Sequence, residues 1–266
     1  MNELPRLGLG TYQNSDPERC ANAVEVALDA GYRHVDTAQM YENEAAVGEG
    51  LARAAVDRED VFLATKLSPA NLAATDVRAT AEASLDRLGT DYVDLLYVHW
   101  PIDTYDPDET LPALDELHAD GLVRNVGLSN FTTDLLDEAN EVLDAPVFAH
   151  QVEMHPLLQQ DELHEYAVAD DHWLVAYCPL ARGSVGDVPE LVAIAEKHDA
   201  TPYQVSLAWL LSKENVAAIP KSSSEGHILE NYRARDLELD EDDLERIGAI
   251  EGGERVVDFP AAPWNV

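Results

Sequence analysis

The segment TDVRATAEASLDRLG, residues 75–89, runs within a few positions into VDLLYVHW, residues 93–100. In the first, Val77, Ala81, Leu85 and Leu88 recur at spacings of three and four and form one apolar stripe of a helix. The second is a short apolar run bounded by polar residues, which reads as a buried strand. A helix that feeds such a strand is the repeating unit of a parallel sheet with helical crossovers.

The same alternation extends in both directions. Helical stretches are expected in DPERCANAVEVALDAGY, NEAAVGEGLARAAV, TLPALDELHADG, TTDLLDEANEVL, QQDELHEYAVADD and ELVAIAEKHDA. Strands are expected in LGLGT, HVDTA, VFLATKL, VRNVGLS, VFAHQVEM, WLVAYCPL and VAAIPKS, which with VDLLYVHW makes eight. Eight units are the number that closes a (β/α)8 barrel, the TIM-barrel fold; an open doubly wound sheet is the competing architecture. Asp16 before Pro17 and Thr201 before Pro202 mark two helix starts, each an N-cap followed by proline at the first helical position. TPYQVSLAWLLSKENV and DEDDLERIGAIEG exceed the eight-unit rhythm and read as extra C-terminal helices. No Gly/Ser linker, composition shift or repeat divides the chain, so residues 1–266 are read as one domain.

Composition narrows the function classes. The chain carries 52 Asp+Glu against 17 Lys+Arg, a net charge of -35. Such a field repels nucleic acid and anionic membranes. The acids recur along the whole length as DPE, DRED, DPDET and DEDDLE, the pattern of a solvated surface rather than a tail. Adaptation to multimolar salt, a halophilic setting in which screening suppresses self-repulsion, accounts for it. No apolar run approaches the length of a membrane span, and the N-terminus lacks the pattern of a signal peptide. With only Cys20 and Cys178, a reducing, cytoplasmic location is expected.

Barrel enzymes draw their chemistry from the C-terminal ends of the strands. Here the polar residues that close the apolar runs are Asp36, Lys66, His99, Ser129 with Asn130, Gln151 with Glu153, Tyr177 and Lys221. Each has a plainer explanation: an acid as helix cap, a satisfied core histidine, surface lysines at strand ends. Yet the chain holds only four lysines, and two of them fall at equivalent strand ends. A buried lysine needs a counter-charge, because an unpaired buried ion costs several kcal/mol. Asp36, on the neighbouring strand, is the expected partner. Tyr41 lies five positions further on. A nearby ammonium favours the phenolate, so Lys66 is expected to lower the Tyr41 pKa and make it a better acid.

These residues sit in an ordered series of motifs. HVDTAQMYENEAAVG, TKL, DRLGTDYVDLLYVHWP, VRNVGLSNF, QVEMHP, AYCPL and IPKSSS resemble the signatures of the aldo-keto reductases, in that family's order and from about residue 4 to the tail. The short loop after AYCPLARG and the ending DFPAAPWNV are most similar to the prokaryotic branch of 2,5-diketo-D-gluconic acid and methylglyoxal reductases. The resemblance implies a (β/α)8 barrel that binds NADPH without a Rossmann domain, and a catalytic tetrad of Asp36, Tyr41, Lys66 and His99. Tyr41 would protonate the carbonyl oxygen as hydride arrives, and His99 would orient the carbonyl.

By the same resemblance, Gly10 and Thr11 belong to the first strand–helix loop, Ser129, Asn130 and Gln151 hold the nicotinamide carboxamide, and Tyr177 stacks on its ring. Leu180 and Gly183 shape the pyrophosphate loop. Lys221, Ser222 and Ser223 take the adenosine 2′-phosphate, and Glu230 with Asn231 hold the adenine. Where the family usually places an arginine, six residues after the PKS lysine, this chain has His227. Histidine stacks but is largely neutral at pH 7, so NADH is possible beside NADPH. Tyr12, His99, Trp100 and Trp264 are the candidates for the substrate pocket.

GLGTYQ lacks the third glycine of a dinucleotide fingerprint, and the other histidines show no HExxH-like spacing, so no metal is expected. A small carbonyl substrate, no nucleic acid, no membrane and a monomer complete the expectation. Two alternatives remain at this stage: a regulatory binding module of the same fold, and an unrelated barrel enzyme handling phosphorylated sugars.

Overall fold

The computed structural model describes residues 4–253 and 255–266. Eight parallel strands lie side by side in chain order. They are β1 (Leu9–Gly10), β2 (His34–Asp36), β3 (Phe62–Leu67), β4 (Leu95–Val98), β5 (Val126–Ser129), β6 (Val147–Glu153), β7 (Trp173–Tyr177) and β8 (Val216–Ala218). Parallel bridges Leu7↔Ala218 and Gly10↔Lys221 join the last strand to the first. Arg6 reinforces that seam, its Nε donating to the Val216 carbonyl at 2.9 Å. The barrel is therefore closed, and the expected (β/α)8 fold is the one observed.

The helices are α1 (Pro17–Asp29), α2 (Glu44–Arg53), α3 (Ala74–Leu88), α4 (Pro107–Ala119), α5 (Thr133–Val142), α6 (Asp161–Ala169), α7 (Pro189–Lys197), α8 (Pro202–Ser212), α9 (Glu225–Arg233) and α10 (Glu241–Gly248). Both expected caps form. Asp16 accepts from the Arg19 amide at 2.8 Å, and Thr201 makes a capping box with Gln204. None of the described helices is long and apolar enough to cross a membrane.

The helix count differs from expectation in two respects. TPYQVSLAWLLSKENV becomes α8, which lies between β7 and β8 and packs on β8, so it is not a C-terminal addition. The eighth crossover helix is α9, EGHILENYR, whose glycine, histidine and asparagine are weak helix formers. Among the described helices, α10 is the addition beyond the eighth unit.

Strand periodicity explains how the site is built. Side chains alternate faces, so every second residue of a strand enters the barrel. The inward residues Ala64, Leu95, Tyr97, Ala149, Val175, Ala217 and Ile219 form one compact cluster, joined by Phe148 at an irregularity in the β5–β6 register. Continuing the same alternation toward the C-terminal ends, Ala64 leads to Lys66, Tyr97 to His99, Ala149 to Gln151 and then Glu153, and Val175 to Tyr177. The barrel is apolar below and polar at its upper rim. A separate, larger cluster packs the outward faces against the helices.

Candidate active site

At the rim, Lys66 is 0% exposed and Asp36 1%. Lys66 Nζ donates to Asp36 Oδ1 and, at 2.8 Å, to the Thr37 carbonyl. The expected ion pair therefore forms, in full burial. Asp36 Oδ2 is held from across the barrel by Gln151 Nε2 at 2.8 Å. Glu44 lies behind the pair, tied to Thr65 Oγ1 at 2.6 Å and to the outer Arg87. Burial draws the Lys66 ammonium below its ordinary pKa, while Asp36 and Glu44 pull it back up.

Tyr41 ends a 3-10 turn over Gln39–Tyr41. Glu42 follows in the left-handed region, at φ 54°. Asn43 then locks the loop, accepting from Thr37 Oγ1 at 2.9 Å and donating to the Thr11 carbonyl at 2.9 Å. This is how YENE, residues 41–44, fixes the tyrosine over the rim. Lys66 Nζ sits 5.2 Å from the Tyr41 ring centre, and the His99 and Tyr12 rings meet Tyr41 edge-on at 5.6 and 5.2 Å. The four tetrad residues are thus brought together.

The direction of the Tyr41 shift is the reverse of the sequence expectation. Burial, followed by the Asp36 carboxylate, pushes the phenol well above its ordinary pKa. The physical reason is the pairing itself: the Lys66 charge is largely cancelled by Asp36, leaving desolvation to dominate. Tyr41 holds its proton firmly in the free protein. His99 is driven well below its usual pKa by burial and then by Lys66, so it is a neutral imidazole. Its buried Nδ1 has no hydrogen-bond partner among the described residues.

Two adjoining cavities open here. The inner one, of about 430 Å³, is bordered by Gly10, Thr11, Tyr12, Asp36, Tyr41, His99, Trp100, Ser129, Asn130, Gln151, Tyr177 and Lys221. The outer, of about 510 Å³, is bordered by Tyr12, Leu180, Gly183, Lys221, Ser222, His227, Glu230 and Asn231. Tyr12, Cys178, Arg182 and Lys221 belong to both, so the space is one elongated groove. Asn130, at φ 64°, donates to Ser129 Oγ at 3.0 Å and accepts from the Tyr177 hydroxyl at 2.8 Å. Ser129 Oγ donates to the Gln151 carbonyl at 3.0 Å.

Three expected site residues do not border the groove. Lys66 lies beneath it. Ser223 hydrogen-bonds Arg19 at 3.0 Å. Trp264 stands behind Trp100, ring centres 5.6 Å apart. Sequence reasoning missed Arg182, Met40 and Val257, which do border it. Arg182 adopts φ 53° in the loop after β7, and nothing in its local pattern marks it out.

Glu153, flagged at the rim, serves the tail: its two oxygens accept from the Val256 and Val257 amides at 2.7 and 2.8 Å, and His155 Nε2 lies 3.0 Å from Oε1. The plainer, structural explanation holds for this acid. The remaining lysines are also accounted for: Lys197 pairs with Asp240 and Asp243, and Lys213 lies over Trp209.

Comparison with known proteins agrees with this geometry. The Aldo/keto reductase family profile matches residues 6–251. Methylglyoxal reductase DkgB of Salmonella typhi is 38% identical over 257 residues, 96% of each chain. Glyoxal reductase of Bacillus subtilis (strain 168) is 38% identical over 255 residues, 96% of this chain and 91% of the other. Among solved structures, a protein assigned as 2,5-diketo-D-gluconic acid reductase B superposes with a TM-score of 0.94 at 35% identity, covering 97% of this chain and 92% of that one. Aldose reductase from Schistosoma japonicum gives 0.92 at 31% identity, over 98% and 93%. With the profile spanning nearly the whole chain and a buried Lys66–Asp36 pair beside Tyr41 and His99, the protein belongs to the aldo/keto reductase family.

Proposed function

We propose that this oxidoreductase reduces small aldehydes and ketones, α-dicarbonyls among them, with NADPH as preferred donor and Tyr41 as the proton donor. The observation that carries the reading is the single groove, which has the Tyr41, His99 and Lys66–Asp36 group at one end and the cation Lys221 at the other.

The residues present fit an extended nicotinamide dinucleotide. A side chain at Gly10 would meet the Ile219 carbonyl oxygen at 2.7 Å, so glycine lets β1 lie close against the segment after β8 at the edge of the inner groove. Ser129, Asn130 and Gln151 offer amide and hydroxyl groups beside the Tyr177 ring. Leu180, Gly183 and the cation Arg182 line the middle, suited to a diphosphate. Lys221 and Ser222 at the outer end suit a further phosphate, with Glu230 and Asn231 for adenine. When bound, the nicotinamide supplies a hydride.

The chain itself manages the proton and the carbonyl. Tyr41, a phenol that burial makes hold its proton more firmly still, delivers that proton to the carbonyl oxygen as negative charge develops there. Lys66, its Nζ 5.2 Å from the ring centre, is a buried cation beside the charge left on the phenol, and Asp36 with Gln151 fixes it in place. Neutral His99 orients the carbonyl by a hydrogen bond without adding a second cation. Tyr12 and Trp100, with Trp264 behind, wall the substrate side. The names of the methylglyoxal and glyoxal reductases support a compact α-dicarbonyl. A monomer in a salt-rich cytoplasm is part of the same reading, supported by the net charge of -35.

The test follows NADPH absorbance on adding methylglyoxal in multimolar KCl, with wild type and Tyr41→Phe in parallel. Consumption by wild type alone supports the reading. Equal rates in the two proteins, or none in wild type with any aldehyde offered, would sink it.

A further inference from the structure

The outer end of the groove lacks a fixed guanidinium at position 227, where His227 stands. A guanidinium from another element reaches the residue next to Ser222, at the border of that end. Arg19, third residue of α1, donates from a terminal nitrogen to Ser223 Oγ at 3.0 Å. Its placement is fixed by the packing of the first loop and α1 on the segment after β8. Gly10 N donates to the Pro220 carbonyl at 3.1 Å, Asn14 Nδ2 reaches the Ser222 carbonyl at 3.5 Å, and Tyr32 hydroxyl donates to the Ile228 carbonyl at 3.1 Å. The Lys221 charge is felt by the thiol of Cys20, the neighbour of Arg19 on α1.

Two features set Arg19 apart from the arginines that are paired with acids. Arg53, Arg58, Arg78, Arg87 and Arg124 pair with carboxylates, while among the described residues no carboxylate oxygen lies within 4.0 Å of the Arg19 guanidinium. Moreover, a cation in the first turn of a helix opposes the positive end of the helix dipole. Helix stability therefore does not explain it, whereas an anion placed against Ser223 does.

We propose that Arg19 is the residue by which this protein selects the 2′-phosphate of NADPH over the 2′-hydroxyl of NADH, an inference that rests on the nicotinamide-dependent reading above. A phosphate monoester is a compact dianion with several acceptor oxygens, which a planar guanidinium engages through two parallel N–H donors. Lys221 supplies a second charge and Ser222 borders the groove beside it, while Ser223, outside the lining, holds Arg19. The direct contact also matters at high salt. At about 1 M salt the Debye length shrinks to about 3 Å, so charges acting at a distance contribute little and a hydrogen-bonded one persists.

The experiment measures dissociation constants of NADPH, NADH and adenosine 2′,5′-bisphosphate by tryptophan fluorescence in 2 M KCl, for wild type, Arg19→Gln and Arg19→Glu, together with the Tm of each. Arg19→Gln is expected to weaken NADPH and the bisphosphate about tenfold, the scale of one charge-assisted contact, and to leave NADH within about twofold. Arg19→Glu is expected to weaken NADPH further while Tm stays level or rises, because a carboxylate suits the first helical turn. Opposite movement of affinity and stability is what a merely structural arginine would not give. Unchanged NADPH affinity in both variants, or equal losses for NADH and NADPH, overturns the assignment of Arg19 alone. A wild type that binds neither dinucleotide overturns it together with the functional reading, and that outcome is read from the wild-type arm by itself.

Discussion

Gln151 Nε2 donates to Asp36 Oδ2 at 2.8 Å, so the carboxylate that neutralises Lys66 is itself gripped from the opposite wall of the barrel. One N–H of the Gln151 amide is thereby committed to the tetrad. Gln151→Met removes that donor and leaves a buried carboxylate oxygen without a partner, at a cost of about 1–3 kcal/mol. Both Tm and kcat are expected to fall, kcat by about tenfold, because Lys66 loses its fixed counter-ion geometry. Were Gln151 only a ligand for the nicotinamide carboxamide, the cofactor dissociation constant would rise and Tm would stay put.

The raised pKa of Tyr41 has a kinetic consequence. A group whose pKa lies well above 10 keeps its proton throughout the neutral and mildly alkaline range. kcat/KM for carbonyl reduction, read between about pH 7 and 9.5, is therefore expected to show no alkaline limb from this residue. Lys66→Met removes the cation beside the phenol and leaves Asp36 uncompensated, which raises the cost of charge on Tyr41. A fall in kcat of about 10²-fold or more is expected, with the protein still folded in high salt. An alkaline limb with a midpoint near pH 8 in wild type would show that the proton donor is another group or is tuned differently.

The tail is held by one acid. Glu153 accepts from the amides of Val256 and Val257, and beyond them Phe259 and Trp264 pack on Trp100 at 4.9 and 5.6 Å. Glu153→Gln keeps the size but withdraws the charge and one acceptor. Amide exchange across residues 255–266 is expected to accelerate, and KM for the carbonyl to rise more than kcat falls, since Val257 and Trp100 border the inner groove. Unaltered exchange in the tail would mean that aromatic packing alone holds it.

How much of this was legible from sequence depends on how local the cause is. The strands were readable because most are short apolar runs closed by a polar residue, and their number, eight, pointed to a barrel, while closure itself rests on the Leu7↔Ala218 and Gly10↔Lys221 bridges. The tetrad was readable because Lys66 and Asp36 fall at matching strand ends in a lysine-poor chain. Helix α9 was not, because Gly226, His227 and Asn231 mask a helix whose stability comes from packing Ile228 and Asn231. Nor were the Gln151–Asp36 bond, which spans 115 positions, or the Glu153–Val256 bond, which spans 103. The sign of the Tyr41 shift also escaped sequence reasoning, which sees a neighbouring lysine but not how completely its partner cancels it.

Four histidines are expected to govern acid stability. Burial lowers the pKa of His34, His99, His150 and His172, in the case of His150 to about 3. His150 Nε2 accepts from the Phe131 amide at 3.2 Å, a role that requires the neutral ring. Below the unfolded value of about 6.5 the unfolded chain binds the proton and the folded one does not, so stability falls as pH drops from about 6.5 toward 3. His150 contributes a slope of up to about 1.4 kcal/mol per pH unit in that window. His150→Asn is expected to be less stable at pH 7 but to lose stability less steeply on acidification. Parallel pH dependences for wild type and variant would exclude His150 as a contributor.

The last expectation concerns salt. Few of the 52 acids have a basic partner, since the chain has only 17 Lys+Arg, and the ion pairs that do form cluster at positions such as Asp94, held by Arg58 and Arg124 at 2.9 Å each. At low ionic strength the unpaired surface carboxylates repel one another over about 30 Å at 0.01 M, and shortening that range to about 3 Å at 1 M removes most of the penalty on the compact state. Tm is expected to rise steeply as KCl increases from 0.05 to about 1 M, with a smaller gain beyond, and an uncharged osmolyte at matched water activity should not reproduce the first phase. The buried Lys66–Asp36 pair is screened far less, so activity per folded molecule should change little over the same range. If activity per folded molecule instead tracked salt as closely as Tm does, the salt requirement would lie in the groove and not in the acidic surface.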